Sequence, residues 1–96
     1  KNKLYFVYIT PNGPRRTVLY IGFSGDLPLR MWKHKRKLLP GFTKRYNTDA
    51  LIYYEAYQDP IEAIAREKQI KRWSRGKKIS VIERNNPTWR DLSDDF

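Results

Sequence analysis

Val18-Leu19-Tyr20-Ile21-Gly22-Phe23-Ser24-Gly25-Asp26-Leu27-Pro28-Leu29-Arg30-Met31-Trp32-Lys33-His34 is the stretch from which the fold can be read. Its first half is β-branched and aromatic, with apolar residues on both faces, which is the pattern of a strand. Ser24-Gly25 is turn chemistry, and Asp26 with Pro28 marks a helix start. Strand side chains repeat every two residues, so Tyr20 shares a face with Gly22, which leaves space beside it. On the helix, Arg30 and His34 are one turn apart and project from neighbouring positions of one surface. A phenol, a guanidinium and an imidazole are thereby brought toward one another, a combination suited to chemistry at a phosphate.

Working outward toward the N-terminus, Leu4 to Ile9 is a second strand-like run, separated from Val18 to Phe23 by the turn residues Asn12-Gly13-Pro14. The two make an antiparallel hairpin, with Tyr8 and Tyr20 on one face if the register permits. Toward the C-terminus, Leu27, Met31, His34 and Leu38 carry helical spacing from Leu27 to about Leu38, with His34 in the inward stripe and Arg30 at its edge. No acid lies between Asp26 and Asp49, whereas Arg30, Lys33, Lys35, Arg36, Lys37, Lys44 and Arg45 are cationic. Pro40-Gly41 ends this helix, and Phe42 to Tyr46 interleaves basic and aromatic residues, a mixture that suits phosphates and stacked bases.

Leu51 to Ala56 is the third strand. Asp59-Pro60-Ile61-Glu62 then combines an N-cap acid, a proline at the first helical position and a glutamate three residues after the cap. The helix is expected to reach about Arg75, with Glu62 and Arg66, and Glu67 and Lys71, spaced for exposed ion pairs. Gly76 is expected to break it. Lys77 to Arg84 reads as a further short helix with Ile79 and Ile82 inward, stopped by Asn85-Asn86-Pro87. Residues 88–96 form an acidic tail in which Trp89 and Leu92 pack back on the domain. The whole is an α+β arrangement over residues 1–96, without repeat or linker.

Composition limits the function classes. With 96 residues there is room for one modest core. A formal net charge of +10 points to a polyanionic partner, and nucleic acid comes before membrane because no segment reads as a basic amphipathic surface helix. The longest apolar run is strand-length, so no membrane partner is expected. The absence of cysteine excludes disulfides and thiolate metal sites and fits a reducing compartment. The expected location is the cytoplasm.

The ordered set of motifs resembles the GIY-YIG nuclease superfamily, in particular its small stand-alone bacterial members, over nearly the whole chain. Tyr20-Ile21-Gly22 matches the second name-giving triplet. Phe6-Val7-Tyr8 occupies the place of the first, with Phe6 where the family usually has glycine. Gly22-x-Ser24-x-Asp26-Leu27-x-x-Arg30-x-x-x-His34 is similar to the signature helix, Arg66-Glu67 falls at the place of the metal-binding glutamate, and Asn86 at that of a late asparagine.

The resemblance implies a three-stranded antiparallel sheet flanked by helices and metal-assisted hydrolysis of a DNA phosphodiester, by an endonuclease or nickase working in repair or recombination. One acid is matched as ligand, so it implies one Mg²⁺ or Mn²⁺ ion on Glu67. Arg30 would hold the phosphate with its fork of donors. Tyr20, or alternatively Tyr8, would take the proton from the attacking water; a phenol with an ordinary pKa near 10 needs nearby cations for that role. His34 would relay the proton or bond a phosphate oxygen, and Asn86, with Asn85 as rival, would orient substrate or metal water. Lys33, Lys35, Arg36, Lys37, Lys44 and Arg45 would contact DNA. Larger relatives carry extra domains that choose the target. Here that choice falls to a protein partner, to DNA structure, or is hardly made.

Plainer readings stand beside each of these. Strand tyrosines are commonly half-buried packing residues, Glu67 can simply pair with Lys71, and Asn86 before Pro87 can be no more than a helix stop. The alternative function is a nucleic-acid-binding module, for DNA or RNA, that keeps the fold and has little or no turnover. Phe6 is the motif feature that favours it.

Overall fold

The computed structural model describes residues 3–12, 18–35 and 50–95, with only the backbone of Asn12, His34 and Lys35. Strands β1 (Tyr5–Asn12) and β2 (Val18–Ser24) lead into helix α1 (Leu27–Lys35), and β3 (Tyr53–Tyr57) into helices α2 (Pro60–Arg72) and α3 (Arg75–Asn85). A short 3₁₀ turn, Leu92–Asp95, follows.

The sheet is antiparallel with order β2-β1-β3, so the chain's first strand is central and β2 is an edge. Register across the hairpin pairs Tyr8 with Gly22 and Thr10 with Tyr20, and on the other side Tyr8 with Tyr54. Because side chains alternate, this register puts Phe6, Tyr8, Tyr20 and Tyr54 on one face and Val7, Ile9, Ile21 and Tyr53 on the other. Each face has its own core. Tyr8, Leu27, Met31 and Leu51 are buried beneath α1, with Leu92 of the tail alongside. Val7, Ile9, Ile21, Ala63, Ile70, Val81 and Ile82 form the second core beneath α2 and α3. Each fully buried aliphatic side chain contributes roughly 1.5–3 kcal/mol, which a chain this short needs from both faces.

Local chemistry explains the helix limits. Asp59 caps α2 by accepting from the Ile61 amide at 2.9 Å, with Pro60 at the first helical position. The expected break at Gly76 falls earlier: α2 ends at Arg72, Trp73 is extended, and the Ser74 hydroxyl accepts from the Lys77 amide at 3.2 Å to open α3. Gly76 lies inside the first turn of α3, where its weak helix propensity is outweighed by the cap. The third strand also starts later than the apolar pattern suggests. Leu51 and Ile52 are buried just before it rather than within it.

Arg66 does not take Glu62 as its partner. It reaches across to β3 and grips Glu55 through Nε at 2.9 Å and Nη2 at 3.0 Å. Tyr57 donates to the same carboxylate at 2.6 Å, as does Tyr53, while the Arg66 guanidinium lies 4.8 Å from the Trp73 ring. A carboxylate with several cross-chain donors is worth more than an exposed pair along one helix turn. Burial opposes the charge of Glu55, but Arg66 and the two phenols outweigh it and hold its carboxyl below the usual range. The network clamps α2 to β3.

The acidic tail is tied down by main-chain bonds. Leu92 N–H donates to Leu51 O at 2.6 Å, and the Leu51 amide donates to Asp91 Oδ1 at 3.0 Å. Trp89 packs against one core and Leu92 against the other, as expected from the sequence.

Candidate active site

Tyr8 and Gly22 stand opposite each other on β1 and β2. A Cβ built on Gly22 would lie 2.7 Å from Tyr8 Cε2 and closer still to Cζ and Oη. Only glycine admits that approach. The space expected beside Tyr20 is therefore occupied: Tyr8 fills it, and its phenol is carried across the strand toward the outer edge of the sheet. Tyr20 is two residues earlier on the same face, its ring centroid 6.4 Å from that of Tyr8. Tyr8 is fully buried and Tyr20 only half-buried. Thr10, opposite Tyr20, holds a buried hydroxyl with no hydrogen-bond partner among the described residues.

Burial pushes the Tyr8 phenol well above its ordinary range. Arg30 acts against that rise, and Tyr20 and Glu67 add to it. Such electrostatic effects weaken with distance, so both charges lie within electrostatic reach of this hydroxyl. Arg30 comes from α1 and Glu67 from α2, which pack on opposite faces of the sheet.

Helix α1 is seated on Tyr8 by Leu27 and Met31. It starts where Ser24 Oγ accepts from the Asp26 amide at 3.0 Å and Asp26 Oδ1 accepts from the Leu29 amide at 3.1 Å. Its half-buried Arg30 and Lys33 line a 270 Å³ cleft together with Ser24, Gly25, Asp26 and Leu29. No acid among the described residues forms an ion pair with Arg30, which leaves its donors available to an anion. His34 follows one turn later on the same helix, and Lys35 is at its end; their side chains lie outside the described residues, as do Arg36, Lys37, Lys44 and Arg45 entirely.

Glu67 accepts from Lys71 Nζ at 3.1 Å; the lysine is largely exposed and the carboxylate largely sheltered. Among the described residues no group of three or more His, Cys, Asp or Glu side chains converges, so a paired-metal clamp has no donor set there. A single Mg²⁺ asks for less. It takes hard oxygen donors and commonly retains waters around one or two carboxylates, and the largely sheltered Glu67 carboxylate fits that requirement.

Asn86 is engaged with the backbone. It is buried, its Nδ2 donates to Ile52 O at 3.0 Å and Arg90 O at 2.8 Å, and its Oδ1 accepts from Arg90 N at 3.0 Å. Both donors and the acceptor are committed to the backbone, so Asn86 caps α3 and fastens the tail. Asn85 is likewise engaged, donating to Val81 O at 3.1 Å. Phe6, in the glycine's usual place, meets Tyr54 of β3, their ring centroids 6.1 Å apart in an edge-on arrangement.

A second cleft, of 370 Å³, is lined by Leu19, Tyr20, Ile21, Lys71 and Lys78. Its lysines were not among the candidates from sequence, although a signal existed. From Arg66 to Lys78, Glu67 is the single acid among Lys68, Lys71, Arg72, Arg75 and Lys77. The Glu67–Lys71 spacing also fits a plain helical ion pair.

No helix among the described residues is long and apolar enough to cross a membrane. A family model described as the GIY-YIG catalytic domain matches residues 4–80. The UPF0213 proteins of Staphylococcus aureus strains Mu3, Mu50 and MW2 are each 35% identical over 79 residues, covering 82% of this chain and 94% of the relative. No solved structure gives a significant match.

Proposed function

This chain belongs to the GIY-YIG family of nucleases, and from that premise we propose that it is a metal-dependent DNA endonuclease or nickase whose site lies at the outer edge of β2. The observation that carries the reading is the pairing of Tyr8 with Tyr20 at the edge of the sheet, their ring centroids 6.4 Å apart, with the Arg30 cleft at the end of the same strand and the charges of Arg30 and Glu67 both felt at the Tyr8 phenol.

A phosphodiester repels nucleophiles by its own charge, and more charge develops in the transition state. Arg30, with Lys33 beside it, holds the phosphate in the α1 cleft through paired donors. Half-buried Tyr20 accepts the proton of the attacking water. Tyr8, whose buried phenol resists ionisation, positions Tyr20 and bonds as a neutral hydroxyl. His34 lies one turn beyond Arg30 and serves as relay or phosphate donor. Glu67 would hold one Mg²⁺ or Mn²⁺, which when bound supplies charge neutralisation at the phosphate; Lys71 then releases the carboxylate. DNA repair or recombination is the setting in which such a small nuclease works, with target choice coming from DNA structure or a protein partner.

The second reading, a binding module without turnover, is favoured by one observation, the Glu67–Lys71 ion pair that occupies the metal ligand. Nicking of supercoiled plasmid by the purified protein with Mg²⁺ or Mn²⁺, beside an EDTA control and Glu67→Ala, separates the two. Metal-dependent nicking lost in the variant supports the nuclease. Salt-sensitive DNA binding with no nicking of plasmid or branched DNA supports the module.

A further inference from the structure

Strand alternation sends Leu19 and Ile21 to one face of the sheet and Tyr20 to the other. A cleft lined by all three must therefore run along the outer edge of β2, and Lys71 and Lys78 complete it from α2 and α3. Lys78 is half-buried and has no ion-pair partner among the described residues. Lys71 meets only the sheltered Glu67. Ammonium groups brought together beside an edge strand, with an apolar wall from Leu19 and Ile21, make a seat for an anion carried on a partly apolar polymer. The α1 cleft with Arg30 includes Ser24, four residues along the same strand from Tyr20. At about 3.3 Å per residue that separation is about 13 Å, close to four base-pair rises of about 3.4 Å each.

We propose that the Leu19–Tyr20–Ile21 edge cleft with Lys71 and Lys78 is a second seat for a DNA backbone phosphate, so that the duplex is held on both sides of Tyr20, by α1 at one end of β2 and by the α2–α3 junction at the other. The proposal rests on the nuclease reading and adds to it the track that the DNA follows.

The test is binding of a short duplex in EDTA, where cleavage is stopped, at a series of salt concentrations. Each phosphate contact contributes about 0.9 to the slope of log K against log salt. Lys78→Gln is expected to flatten the slope by about one and Lys71→Gln/Lys78→Gln by between about one and two, because without metal Lys71 is shared with Glu67, whereas Lys68→Gln, exposed on α2 and outside the cleft, leaves it unchanged. Unchanged slopes in both cleft variants overturn the proposal. Lysine acetylation of the parent protein, read by mass spectrometry, gives a check independent of any variant. DNA should protect Lys71 and Lys78 several-fold and Lys68 hardly at all, and equal reactivity with and without DNA also overturns it. Failure on both counts with plasmid nicking intact removes the second seat alone. A parent protein that neither binds duplex nor nicks plasmid removes the nuclease reading with it.

Discussion

The Tyr8 ring occupies the volume that any side chain at Gly22 would need, so a strand glycine and a buried tyrosine on the neighbouring strand form one packed unit at the edge of the sheet. Gly22→Ala puts a methyl group onto ring atoms of a side chain with no exposed surface to retreat into. Overpacking of this kind costs typically 1–3 kcal/mol, which for a domain this size is a fall in Tm of about 4–8 °C per kcal/mol. Thermal unfolding followed by circular dichroism measures it. A variant melting within a degree or two of the parent would show that Tyr8 does not fill this space.

The two tyrosines should separate kinetically. Burial holds the Tyr8 proton on, while Tyr20 reaches the cleft. Tyr20→Phe is therefore expected to lower the single-turnover nicking rate by about 10²-fold or more, the usual range for loss of a positioned base. Tyr8→Phe keeps the ring in place and removes only a neutral hydroxyl, so a smaller loss is expected. The reverse order would make Tyr8 the base.

Alkaline pH should weaken the fold. Burial raises the phenols of Tyr8, Tyr53 and Tyr57, that of Tyr57 to about 12. The folded state thus keeps protons that the unfolded chain loses near pH 10, so stability present below pH 10 falls as pH rises toward 12. Urea unfolding at pH 8, 10 and 11 tests the sign, and a midpoint independent of pH would contradict it.

Glu55 acts at the other end of the scale. Its carboxyl is held below the usual range by Arg66, Tyr53 and Tyr57 against the effect of burial. Its contribution is complete above the unfolded carboxyl pKa and is lost as pH falls through the lower folded one. Glu55→Gln should destabilise the protein by about 1–2 kcal/mol at pH 7, a value kept low because the pair is partly exposed. The difference from the parent should shrink near pH 3. Equal urea midpoints at pH 7 would dismiss the clamp.

Asn86→Ala leaves the Ile52 and Arg90 carbonyls and the Arg90 amide without their partner. A loss of about 2–3 kcal/mol is expected, with nicking retained at a temperature where the variant remains folded. Full stability combined with lost nicking would return Asn86 to the chemistry.

The β1–β2 hairpin, the start of α2 and the succession of a tyrosine strand and an arginine helix were legible in the residues, because alternation, caps and turn residues are local properties. Asp59-Pro60 announces α2 wherever it is placed, and Tyr20-Ile21-Gly22 announces β2. Local pattern was a weaker guide where two local signals competed, as at Ser74 and Gly76, or where a partner lay across the chain, as when Arg66 chose Glu55 over Glu62. The other arrangements arose from packing between elements. Register placed Tyr8 in the space left by Gly22. The packing of α1 and α2 on opposite faces of the sheet put the charges of Arg30 and Glu67 within electrostatic reach of one phenol. It also tied Asn86 to the backbone of Ile52 and Arg90 and brought Lys71 and Lys78 beside Tyr20. Those outcomes depend on which residues meet in space, and residue spacing along a chain constrains such meetings only within a strand or a helix turn.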